Sequence, residues 1–215
     1  MSRRYDVTDF VEAQFEPGSR GRVLKNLLGI RKKREMDLVE AREQFRALVE
    51  LVETYGEDHR FTSEDVCAIH RLWLGPVYEW AGRYRKVNLT KDDFPFSAAH
   101  LIQASMDAFE KDQLARYTPC KFADWNAVVE AIAVVHAELL LIHPFREGNG
   151  RVARMLATLM ALQAGLPPLN FTAIRGRRRQ EYFAAVRAAL DRDYRPMEII
   201  LGGVVRRTLR KRILP

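Results

Sequence analysis

Apolar residues recur at helical intervals along most of the chain. In residues 36–54, Leu38, Phe45, Leu48, Val49 and Val52 fall on that spacing, and Gly56 supplies a stop. Thr62 followed by Asp65 has the form of a capping box. The helix it opens should carry Val66, Ile69, Leu72, Trp73 and Leu74, and run or kink past Pro76 to Trp80. Residues 82–97 lose the helical period. They alternate loosely to Leu89, turn at Lys91-Asp92-Asp93 and resume at Phe94-Pro95-Phe96, which predicts a short β-hairpin or extended flap. Helix returns over 98–114 with Ile102, Met106 and Phe109 inward. Residues 123–142 are apolar on more than one face, through Val128, Val129, Ile132, Val135, Leu139 and Leu140, so this helix should be central. A loop at 143–149 precedes a helix that starts near Asn149 and stops before Gly165-Leu166-Pro167-Pro168. Two more helices fit 176–190 and 196–212. Residues 1–35 mix turns and apolar positions, with a short helix expected near 23–28. The pattern predicts an all-α domain over 36–215 with a small hairpin, and an N-terminal arm, 1–35, packed on it.

Composition narrows this. The 215 residues are 47% hydrophobic and 29% charged, an ordinary globular mixture that excludes a disordered or low-complexity chain. A chain of this size buries roughly 70% of its unfolded surface and needs no disulfide or metal staple. Cys67 and Cys120 are the only cysteines, which excludes a disulfide-rich scaffold and a CxxC zinc pattern. The apolar runs read as shorter than the roughly 18 residues of a membrane span, and MSRRYDVTDF lacks an apolar leader core. The expectation is a soluble cytoplasmic protein with reduced thiols and no membrane partner. A net charge of +7 points to an anionic ligand. The basic clusters at 31–34, 175–179 and 206–212 read as solvated faces. Aromatics do not interleave with them, so nucleic acid is the less favoured partner.

The chemistry concentrates in His143-Pro144-Phe145-Arg146-Glu147-Gly148-Asn149-Gly150-Arg151-Val152-Ala153-Arg154. A glycine-rich turn feeding a helix N-terminus is an anion site, because its N–H groups and the helix dipole face outward. Arg151 and Arg154, three apart, share one side of that helix and suit a polyphosphate. Glu147 is a hard oxygen ligand of the kind that suits Mg²⁺ held mainly by phosphates and water. His143 ends the preceding helix and, with a usual pKa near 6.5, is a natural general base. Phe145 reads as the apolar anchor of the loop.

This segment resembles the Fic family motif HxFx(D/E)GNGRxxR at every specified position. Tyr78 to Arg85 resembles the helix end that leads into the family's flap, and Pro17 to Ile30 resembles the arm ahead of many bacterial Fic cores. The resemblance implies a Fic fold, a helical bundle with a β-hairpin flap. It implies protein AMPylation, transfer of AMP from ATP to a Ser, Thr or Tyr hydroxyl of a target protein, releasing pyrophosphate. It gives His143 the hydroxyl proton and gives Glu147 a Mg²⁺ between the α- and β-phosphates. Gly148, Asn149 and Gly150 then cradle the phosphates, with the Asn149 side chain assisting, and Arg151 and Arg154 reach the β- and γ-phosphates. The flap, with Lys86, Val87, Asn88, Leu89, Phe94 and Phe96, would pair with an extended target segment. Both loop glycines favour nucleotidyl transfer over the kinase-like relative. UMP and phosphocholine transfer stay open beside it, as does a nucleic-acid-binding or adaptor protein built on a vestigial Fic core.

Many Fic enzymes are held inactive by a helix bearing (S/T)xxxE(G/N), whose Glu pairs with the second motif arginine, here Arg154. Thr8 to Glu12 comes nearest, but Ala13 follows where Gly or Asn is expected. Either Glu12 is a degenerate internal inhibitor, or the inhibitor is a separate small antitoxin and this chain is the toxin of the pair. Elsewhere the residues read as packing. His136 is a core histidine, and a metal site of His136, Glu138 and His143 leaves both arginines unexplained. Cys67, Trp73, Trp80 and Trp125 belong to the core.

Overall fold

A computed structural model describes residues 10–91, 93–174 and 176–213. Helix α1 (Lys33–Thr54) packs on α2 (Ser63–Leu74). The capping box is present: Thr62 Oγ1 accepts from the Asp65 N–H at 3.1 Å and Asp65 Oδ2 accepts from the Thr62 N–H at 2.8 Å. Such a cap is worth about 1 kcal/mol. The helix does not run on to Trp80. Pro76 has no N–H to give Leu72, whose carbonyl accepts from Arg46 instead at 2.6 Å, and the chain turns away after Leu74.

The flap is shorter than its sequence suggests. Strands β1 (Thr90–Lys91) and β2 (Phe94–Pro95) pair antiparallel, Thr90 opposite Pro95 and Lys91 opposite Phe94. Before them the backbone turns inward to a side chain, with the Val87 carbonyl accepting from Arg85 rather than from a strand. A 3₁₀ turn (Ala99–Leu101) leads into α3 (Ile102–Phe109), a π-helical turn (Glu110–Leu114) and α4 (Ala115–Tyr117), so the helical run passes the expected end at 114.

Helix α5 (Trp125–Ile142) is the centre. It packs against α3, α6 (Asn149–Gln163), α7 (Arg177–Ala188) and α8 (Arg195–Ile213). By length and composition it is apolar enough to cross a membrane, contrary to the sequence reading; here that apolarity lines the core, with residues 131–137 all buried. Its first turn departs, since Trp125, expected in the core, is exposed. Cys67 lies partly buried against this core and Cys120 is buried; both are free thiols.

Two expectations fail at the N-terminal side. No helix forms over 23–28. Phe15 bridges Leu24, and Asn26 Oδ1 takes the N–H groups of Leu28 and Ile30, so a local side chain competes for the backbone. The helical turn lies earlier, at Val11–Ala13. In α1 the apolar stripe faces out: Leu38, Phe45, Val49 and Val52 are exposed, while Met36, Glu40, Ala47 and Leu51 face the core. The inner face was masked by one small and one charged residue.

Candidate active site

The His143 loop begins with a strained residue. His143 closes α5 in the left-handed region, φ 54°, ψ 57°. For a residue with a side chain this costs on the order of 1–2 kcal/mol, so surrounding bonds must hold it. Arg85 does so. Its guanidinium, 1% exposed, donates to the carbonyls of His143 (2.8 Å), Val87 (2.7 Å) and Ser97 (2.6 Å), and its own N–H donates to Pro144 O at 2.8 Å. One buried cation thus ties the loop to both ends of the flap. Burial pushes its pKa down to about 10, which leaves it charged at neutral pH.

The imidazole of His143 lies against the Phe96 ring, centroids 3.7 Å apart. Its Nδ1 is 3.2 Å from Leu140 O, a carbonyl, so the proton sits on Nδ1 and Nε2 keeps its lone pair. Burial first, then the cations Arg85 and Lys91, push the pKa down to about 4, so the ring is neutral at pH 7.

Gly148 opens α6 at φ +87°, where an added Cβ would come within 2.7 Å of the Trp73 ring. Gly150 is the opposite case: a Cβ there meets no protein atom within 4 Å. The space beside it belongs to a cavity of about 670 Å³, in the range of small-molecule sites, onto which the first turn of α6 opens. The N–H groups of Asn149 and Gly150 have no intrahelical acceptor by position. The Asn149 side chain is already engaged within the loop. Its Oδ1 accepts from Phe145 N at 2.8 Å and its Nδ2 donates to Phe145 O at 2.7 Å, so both ends of the amide are spent closing the loop.

The two arginines differ. Arg151 stacks over Trp73, 4.4 Å from the ring centroid, and pairs with the buried Glu40 at 2.6 Å. Arg154 lies near the Phe171 and Tyr182 rings, and its buried Nε has no hydrogen-bond partner among the described residues. Both line the cavity. Glu147 is half-exposed there. Its contacts, from Gly148 N at 2.9 Å and Arg151 at 3.4 Å, fall on Oε1 and leave Oε2 open.

From the flap, Leu89 and Phe96 line the cavity; Lys91, over the Phe183 ring at 3.7 Å, and Arg187, over Phe94, join the flap to α7. Lys86, Val87 and Asn88 anchor the flap instead: Val87 is buried, and Asn88 Oδ1 accepts from Ala99 N. Glu12 is placed at the same root. Its buried carboxylate accepts from Lys86 N at 2.6 Å and does not pair with Arg154. Thr8, the other end of the proposed inhibitory segment, lies outside the described residues.

His70, Glu40 and Arg85 escaped the sequence reading. His70 Nδ1 accepts from Gly82 N at 2.7 Å, Nε2 donates to Glu147 O at 3.1 Å, and the ring stacks on Phe145 at 3.9 Å, pinning the loop from below. The available signal was a polar residue in phase with buried neighbours, as in His70 beside Ile69 and Trp73. His136 is a core residue: Nδ1 donates to Ala153 O and Nε2 accepts from Tyr182 Oη, while Glu138 accepts from Tyr194.

Residues 60–161 match the Fic/DOC family. The chain is 35% identical over 144 residues to the protein adenylyltransferase VbhT of Bartonella schoenbuchensis, covering 66% of this chain and 30% of that one. It is 33% identical over 149 residues to the protein adenylyltransferase Fic of Nematostella vectensis, covering 69% and 33%. The chain therefore spans about a third of the length of these curated relatives. Its fold matches the BepC protein of Bartonella tribocorum, solved with bound AMPPNP, at a TM-score of 0.67 and 23% identity over 84% of this chain and 91% of that one. The FIC domain of Bep8 from Bartonella sp. 1-1C matches at 0.70 and 21%, over 85% and 90%. With the motif loop, its flap and its helical frame all in place, the chain carries a Fic/DOC family domain at its centre.

Proposed function

We propose that this chain is a protein adenylyltransferase that moves AMP from ATP to a hydroxyl side chain of a target protein. The observation that carries the reading is a single cavity lined by His143, Glu147, Arg151 and Arg154, onto which the open N-terminus of α6 faces. Two guanidinium groups beside an open helix N-terminus suit a polyphosphate. The relatives named protein adenylyltransferase support the same chemistry.

In this reading the target hydroxyl gives its proton to His143 Nε2 as its oxygen attacks the α-phosphorus. The bond to the β-phosphate bridging oxygen breaks, and pyrophosphate leaves. The N–H groups of Asn149 and Gly150, with Arg151 and Arg154, stabilise the charge that gathers on it. Phe96 holds the imidazole plane from one face and leaves its edge free. Mg²⁺ fits beside Glu147, whose Oε2 is open at the cavity and which would be its single protein carboxylate, the rest being phosphate and water. When bound it neutralises phosphate charge. An extended target segment would lie along the flap, next to Leu89 and Phe96.

Because Glu12 is engaged at the flap, an inhibitory carboxylate for Arg154 would come from a separate partner, the small antitoxin of a toxin–antitoxin pair. Adding the product of an adjacent reading frame should then suppress labelling of the chain itself. The transfer reading is tested with ATP labelled on the α- or the γ-phosphate, incubated with the protein and a bacterial lysate. Label should pass to protein from the α-phosphate only. Transfer of the γ-label would mean a kinase, and a preference for UTP or CDP-choline would mean UMP or phosphocholine transfer.

A further inference from the structure

Glu40 is nearly sealed from solvent, 1% exposed, on the inner face of α1, a long way in sequence from the motif loop. An ionised carboxylate is expensive to bury unless it is paired and hydrogen-bonded. Here Oε2 accepts from Arg151 at 2.6 Å and Oε1 accepts from Tyr78 Oη at 2.7 Å. The backbone is held as well, since Trp73 Nε1 donates to the Glu40 carbonyl at 2.8 Å. Trp73 is also the surface on which the Arg151 guanidinium lies. Arg151 is therefore gripped by its face and by one nitrogen.

What this grip prevents lies on the other nitrogen. Arg151 NH2 sits 3.4 Å from Glu147 Oε1, outside a good charge-assisted hydrogen bond but close enough to form one after a small rotation. Two carboxylates compete for one guanidinium, and Glu40, the drier one, holds the shorter contact. We propose that Glu40 is a positioning residue for the transfer reaction: it holds Arg151 off Glu147 and so keeps the Glu147 carboxylate available to a divalent cation carried in with the nucleotide. The inference rests on the adenylyl-transfer reading in taking Glu147 as the carboxylate that meets the metal.

A signature follows that a purely structural role would not produce. In Glu40→Gln the side chain keeps its shape and can still accept from Arg151, but its charge is gone. Arg151 should shift to Glu147. Affinity for a nucleotide without metal should hold or rise, because Arg151 is less neutralised. The gain in affinity that Mg²⁺ brings should fall by on the order of 10-fold, the scale of losing a group that orients a metal ligand.

The experiment is calorimetric titration of the full chain with AMPPNP, with and without Mg²⁺, beside the α-label transfer assay on the same preparations. The parent should show a Mg²⁺ gain, Glu40→Gln should lose about 10-fold of it, and adding Arg151→Ala to Glu40→Gln should restore the ratio. Glu40→Asp, which keeps the charge but shortens its reach to Arg151, should shift the ratio the same way by less, and it decides the matter if Glu40→Gln does not fold. Equal weakening with and without Mg²⁺, no change in either, or a parent without a Mg²⁺ gain would overturn the proposal. A parent that transfers AMP while the variants bind like it overturns this inference alone. A parent that shows the Mg²⁺ gain but transfers nothing overturns the transfer reading alone.

Discussion

Asn149 separates two accounts of the loop. If its amide served a phosphate, its loss would weaken nucleotide binding and leave the empty protein as stable as before. The geometry says otherwise. Asn149 is 2% exposed, and its two hydrogen bonds, 2.8 and 2.7 Å, satisfy the N–H and C=O of Phe145, itself fully buried. Asn149→Ala strands one buried donor and one buried acceptor, each worth about 1–3 kcal/mol, for a loss of about 2–6 kcal/mol. In a chain of this length that is a fall in Tm of roughly 4–24 °C. Asn149→Asp should fare little better, because a carboxylate oxygen would then face the Phe145 carbonyl. The assay is denaturant unfolding of the ligand-free protein, with the thermal midpoint as a second probe. A ligand-free Asn149→Ala protein as stable as the parent would refute the reasoning, whatever its nucleotide affinity.

Gly148→Ala meets φ +87° and the Trp73 ring at 2.7 Å, and should cost roughly 2–4 kcal/mol of stability; Gly150→Ala, with no protein atom within 4 Å, should leave stability intact and weaken AMPPNP binding, as unfolding and calorimetry on the same samples would show. Acid should destabilise the fold through its buried histidines: burial pushes His70 down to about 3 and His136 and His143 down to about 4, against a value near 6.5 in the unfolded chain. Between those values the unfolded state binds more protons, so stability falls as pH drops from 6.5 toward 4, by up to about 1.4 kcal/mol per pH unit per histidine. Unfolding free energies that stay flat from pH 7 to pH 5 would contradict this.

Most helix ends were readable because their causes are local. The Thr62–Asp65 cap and the glycine ahead of α6 each act within a few residues. The twelve-residue motif was readable for the same reason. What the sequence concealed is long-range. Glu40 meets Arg151 across 111 positions of sequence, His70 reaches the Glu147 carbonyl, and Arg85 joins the flap to the histidine loop. Each is a polar residue at a buried position, a cost that only distant partners offset. The phase of α1 was misread because Leu38, Phe45, Val49 and Val52 look like a core face, while the inner face holds Glu40 and Ala47. Asn149 sat correctly in the loop, but the direction of its side chain depends on where Phe145 folds, and spacing does not carry that.

In the proposed reaction His143 Nε2 takes the proton of the attacking hydroxyl. The most direct test compares the parent with His143→Ala for transfer of α-labelled AMP to protein and for AMPPNP binding, at a fixed Mg²⁺ concentration. Arg154 and the α6 N-terminus are untouched by the change, so binding should stay close to that of the parent. Transfer should fall by at least ~10²-fold, the usual effect of removing a general base. Transfer at the parental rate by a variant that binds the nucleotide normally would contradict the account.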